Sequence, residues 1–66
     1  MPQLFTEGDK FTTIYKGYFH EGTVIRLRND EYERKECWID DIYHYSVVFE
    51  DGSSESYLSQ TYMEKI

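Results

Sequence analysis

Cysteine occurs once in these 66 residues, at Cys37. No internal disulfide can form, which fits a reducing compartment or indifference to redox. Proline also occurs once, at Pro2, and no Ser/Gly-rich run, repeat or low-complexity stretch interrupts the chain. Nothing marks a linker, so residues 1–66 read as a single domain. No apolar run approaches the ~18 residues of a membrane-spanning helix, and no signal peptide is visible. The expected location is intracellular, nuclear or cytoplasmic, with no membrane partner. Met1 fits an intact start, and both a whole small protein and an N-terminal fragment remain open.

Positive charge is scarce. Seven Lys and Arg stand against 13 Asp and Glu, for a net charge of −6. Phosphate neutralisation supplies most non-specific nucleic-acid affinity, so no direct nucleic-acid binding is expected. The balance favours a basic protein or peptide as partner, although the same charge also serves solubility.

Catalytic motifs are missing as well. There is no G-x-S-x-G, no Gly-rich phosphate loop and no Ser/Cys–His–acid set. Asp40-Asp41 and Glu50-Asp51 are adjacent pairs, and neighbours on a strand point to opposite faces, so neither pair shares a proton. His20, His44 and Cys37 match no CxxC or HxxxH spacing. The chain reads as a non-enzyme with no cofactor and no metal.

What is abundant is aromatic. Seven Tyr, four Phe and one Trp are spread over the whole length. Hydrophobic content is 39%, below the usual globular range. A chain this short buries only about 60% of its unfolded surface. Large aromatic side chains make a small core adequate.

The clearest stretch is residues 43–58. Tyr45, Val47 and Phe49 alternate with Ser46, Val48 and Glu50, a strand signal. Asp51-Gly52 follows, and Asp-Gly is a strong hairpin signal because the turn needs residues that tolerate positive φ. A second strand follows in Ser54 to Leu58. Upstream, Asp9 to Tyr15 reads as a strand with Phe11, Thr13 and Tyr15 on one face, and Lys16-Gly17 as a turn. Tyr18 to Arg28 is the longest strand candidate, with Gly22 inside it as the expected bulge or bend. Met1 to Gly8 is a lead-in, with Leu4 and Phe5 pinning it to the body. Ser59 to Tyr62 reads as a 3₁₀ turn before a short strand, Met63 to Ile66. Five short strands separated by turns imply an all-β, small five-stranded barrel.

Between strands 2 and 3 lies a longer polar insertion, about 29–42. It carries Asp30, Glu31, Glu33, Glu36, Asp40 and Asp41 against Arg34 and Lys35. A polar hairpin loop, a short helical turn and an extension of the flanking strands are all open. Strand character around Glu36 to Ile39 is favoured, because the segment is long for a structureless loop and carries Trp38.

GDKFTTIY, KGYFHEGTVIRL and YSVVFEDGSSESYLSQTYMEKI together resemble the Tudor domain pattern over Gly8 to Ile66, the insertion excepted. The resemblance implies an SH3-like barrel and an aromatic cage that reads methylated Lys or Arg, with an acid adding selectivity. Carried across, the first-strand aromatic falls on Tyr15, the next on His20, the third-strand aromatic on Phe49 and the acid on Asp51. The aromatic that can follow Asp-Gly falls on Ser53, and Tyr57 is the candidate to close the gap. A His at the site would make binding sensitive to pH. Each residue also has a plainer role: Phe49 as core, Asp51 as turn former, Trp38 as core or exposed anchor.

Two functions therefore stand side by side. One is a reader of methylated side chains in basic, histone-like tails, using Tyr15, His20, Phe49, Asp51 and Tyr57. The other is an acidic interaction or inhibitor protein, of the nucleic-acid-mimicking kind a virus or phage encodes, that docks on a nucleic-acid-binding protein without regard to methylation. A dimerising adaptor built on Trp38 and free strand edges is its structural variant.

Overall fold

The computed structural model describes residues 2–28 and 43–66. Within them the chain forms five strands. These are β1 (Lys10–Tyr15), β2 (Tyr18–Leu27), β3 (His44–Phe49), β4 (Ser54–Ser59) and β5 (Met63–Lys65). A 3₁₀ turn, Gln60–Tyr62, joins β4 to β5 and is capped by the Ser59 hydroxyl, which accepts from the Thr61 N–H. There is no α-helix among the described residues. Every strand read from the alternating pattern in these residues is present.

Period-two burial explains the assembly. In β1, Phe11 and Thr13 are buried while Lys10 and Ile14 face out. In β3, Tyr45, Val47 and Phe49 are buried. All neighbouring strands are antiparallel, in the order β4-β3-β2-β1-β5. The β1–β2 connection is two residues, Lys16-Gly17, both at positive φ (52° and 84°), the geometry of a tight primed hairpin turn. The β3–β4 turn places Gly52 at φ 89°.

The ladder is open: β4 and β5 are its two edges and do not pair with each other. Both edges nevertheless contribute to one core. Leu58 from β4 and Met63 from β5 join Phe5, Phe11, Val24, Tyr45, Val47 and Phe49 in a single buried cluster. The sheet curls around that core without closing its hydrogen bonds.

Two expectations change. Gly22 is not the bulge. The register slips instead between Val24 and Arg26, so that Leu27 stands opposite Tyr45. Gly22 keeps regular register, facing Phe11 on one side and Phe49 on the other. A Cβ there would lie 2.7 Å from Phe11 Cζ and 2.8 Å from the Val48 carbonyl oxygen, so glycine lets a core ring and a backbone meet. Leu4 does not pin the lead-in. It is exposed, and Phe5 alone of the pair enters the core.

The strand expected at Glu36 to Ile39, with Cys37 and Trp38, lies outside the described residues. Among the described residues, no helix is long and apolar enough to cross a membrane.

Candidate functional site

A row of rings runs through the core. Tyr45 meets Phe5 at 5.7 Å between centroids, Phe5 meets Phe11 at 6.3 Å, and Phe11 meets Phe49 at 6.3 Å, all edge-on. Phe49 then meets two rings at once, Tyr15 at 5.7 Å and His20 at 4.8 Å. These last contacts are tilted, near 31° and 33°, so Tyr15 and His20 lie obliquely over Phe49. Edge-on and offset contacts are the favoured aromatic geometries.

At the Tyr45 end the polar groups around Gln60 are matched. The Tyr45 hydroxyl donates to Gln60 Oε1 at 2.8 Å and takes the Phe5 N–H at 3.4 Å. The Gln60 side chain also accepts from the Leu4 N–H and donates to the Pro2 carbonyl, and its backbone N–H donates to the Tyr43 carbonyl. Burial pushes the Tyr45 hydroxyl above its ordinary pKa.

At the other end the rings border a groove of about 340 Å³ between the two hairpin turns. Its lining includes Tyr15, Lys16, His20, Phe49, Asp51 and Glu55. Four of the five residues expected at the site thus come together. Their roles differ from equal walls. Phe49 is buried, 4% exposed, and forms the floor. Tyr15 and His20 are half-buried and offer the accessible ring surface.

His20 is held from β3. Glu50 accepts the Glu21 N–H at 3.0 Å with one carboxylate oxygen, and the other lies 3.5 Å from His20 Nδ1. That approach lacks hydrogen-bond alignment, leaving Nδ1 buried without a bonded partner. Asp51 is a turn former as well as a lining residue. One of its oxygens takes both the backbone N–H and the hydroxyl of Ser53, which holds its carboxyl below the ordinary range.

Glu55 is the residue the pattern hid. The β3–β4 register shifts between Tyr45 and Val47, so Leu58 faces Tyr45 while Glu55 faces Val47. Strict alternation from buried Leu58 would turn Glu55 outward. The shift turns it toward the groove, where it accepts the Tyr15 hydroxyl. That hydrogen bond lowers the Glu55 carboxyl and raises the Tyr15 hydroxyl from their ordinary pKa values.

Tyr57 does not line the groove. The Arg28 guanidinium lies 4.5 Å from its ring centroid, and its hydroxyl accepts from Arg28 at 2.7 Å. Lys16, also unforeseen, sets its ammonium 5.4 Å from the Tyr15 ring centroid.

The groove thus offers aromatic faces and two carboxylates, which suits a cation. Among the described residues, no three His, Cys, Asp or Glu side chains gather as a metal site requires. No protein-family model, curated protein or solved structure matches the chain.

Proposed function

We propose that this chain is a non-catalytic binding module, a Tudor-like reader that holds a methylated Lys or Arg side chain from a basic, histone-like tail. The strand order and the curl of both edges around one core support an SH3-like barrel as its architecture. The observation that carries the reading is the convergence of Tyr15 and His20 over Phe49 beside the Glu55 and Asp51 carboxylates. A methylated ammonium is bulky and sheds water cheaply, so ring faces hold it well. The net charge of −6 draws the rest of a basic tail toward the site. Partners of this kind fit an intracellular protein of the nucleus or cytoplasm.

Calorimetric titration with a basic peptide, carrying trimethyl-lysine, dimethyl-lysine or unmodified lysine, tests this. A methylated peptide binds more tightly, and Tyr15→Ala loses the preference. Equal binding of all three peptides contradicts the reading.

The acidic-docking reading is supported by the net charge of −6 and by the Asp51 and Glu55 carboxylates at the groove. It predicts salt-sensitive binding to a basic nucleic-acid-binding protein whatever the methylation state. The same titration, repeated at two salt concentrations, separates the two.

A further inference from the structure

The groove proposed above already has a cation beside it, and the chain supplies it. Lys16 is the first residue of the β1–β2 turn, at φ 52°. Side-chain-bearing residues rarely take this left-handed conformation, and Asn or Asp are the usual choices at this turn position. Lys lacks the short polar side chain with which Asn or Asp bonds its own backbone. What the position does achieve is placement. The turn folds the Lys16 side chain back along β1, with its ammonium 5.4 Å from the Tyr15 ring centroid. Lys16 also lines the groove with His20, Asp51 and Glu55. Its charge acts on the Glu55 carboxylate that the Tyr15 hydroxyl engages.

We propose that Lys16 is a built-in competitor that occupies the cation seat over Tyr15 and must leave before an external methylated side chain can enter. The inference rests on the reader function proposed above and adds its regulation. A ligand that needs the seat binds only the fraction of molecules in which Lys16 has swung away, so its apparent affinity falls by that fraction. An exposed contact of this kind leaves the seat open in a minority of molecules, so removing it tightens binding about three- to sixfold. The factor is the same for every ligand of the seat, because Lys16 leaves before any of them arrives. Lys16 thus sets how much affinity a tail must bring, and the Tyr15, His20 and Glu55 surfaces set which tail is preferred.

Lys16→Asn is the informative variant. It removes the ammonium and suits the left-handed turn, so the hairpin keeps its shape. Lys10→Gln removes the same charge from the start of β1, outside the groove lining, and serves as control. The probe is N-acetyl trimethyl-lysine amide, titrated into the intact protein and followed by NMR. In the free protein the Lys16 ε-methylene protons are shifted upfield by the Tyr15 ring, and the probe relieves that shift. Lys16→Asn binds the probe about three- to sixfold more tightly, while Lys10→Gln binds as the wild type does. A wild-type affinity for Lys16→Asn, an equal gain from Lys10→Gln, or Lys16 protons at random-coil positions overturns the competitor and leaves the reader standing. Absence of probe binding to wild type and Lys16→Asn alike overturns both.

Discussion

The two ends of the aromatic row differ in what their polar groups face. At the Tyr45 end, one glutamine ties the hydroxyl to the lead-in segment, and Gln60 itself is 2% exposed. At the Tyr15 end, half-buried Tyr15 and His20 rings and two carboxylates border an open groove. A closed hydrogen-bond network steadies a core, whereas open ring faces beside carboxylates can hold a cation. On the function proposed above, the Tyr45 end serves stability and the Tyr15 end serves recognition.

Phe49 belongs to both ends, and removing it should do the most damage. Phe49→Ala strips the floor from Tyr15 and His20 and leaves a core cavity, at a cost of about 3–5 kcal/mol. Denaturant unfolding should show a domain near or below its stability limit.

Gln60→Ala should break the sealed end alone. It orphans the Tyr45 hydroxyl, the Leu4 N–H and the Pro2 carbonyl, at a cost of about 2–3 kcal/mol. Affinity for the methylated peptide, measured at a temperature where the variant is folded, should be unchanged. A loss of affinity would merge the two ends into one cooperative site.

Tyr15→Phe keeps the ring and deletes the hydroxyl. Glu55, lowered by that hydroxyl, contributes stability above the ordinary carboxylate range, and the contribution is lost as pH falls through its native value. Tyr15, raised by Glu55, contributes below the ordinary tyrosine range and loses it as pH rises through its own native value. Tyr15→Phe should therefore cost about 1 kcal/mol at neutral pH, after allowing for solvent screening, and flatten both flanks of the stability–pH curve. Equal pH curves for wild type and variant would mean the hydrogen bond contributes nothing.

His20→Gln should have the smallest effect on folding and a clear one on binding. It keeps a polar tip near Glu50 but removes the second ring face, weakening the methylated peptide about two- to fivefold by calorimetry.

Much of this was legible beforehand because one physical pattern dominates the chain. Alternation of apolar with polar residues marked β1 and β3, and Lys16-Gly17 and Asp51-Gly52 marked the two turns. Tyr15, His20, Phe49 and Asp51 came from the resemblance to the Tudor pattern, and they line one groove because they lie near the strand ends that those turns join. Glu55 went unnoticed and Tyr57 was expected at the groove. A one-residue register shift exchanges the faces of a strand, and nothing in Ser54 to Leu58 marks where it falls. Gly22 misled in a related way: a glycine within a strand signals either a bulge or a close approach, and the neighbour that decides between them, Phe11, is remote in sequence. Lys16 was read as turn filler because cation–ring contacts leave no periodic trace.

The most direct test of the division between the two ends is a residue-resolved NMR titration of the intact protein with a trimethyl-lysine peptide and its unmodified twin. The account predicts methyl-dependent shifts at Tyr15, His20 and Glu55 with Tyr45 and Gln60 unmoved. Shifts spread evenly over both ends, or the same shifts from the unmodified peptide, would contradict it.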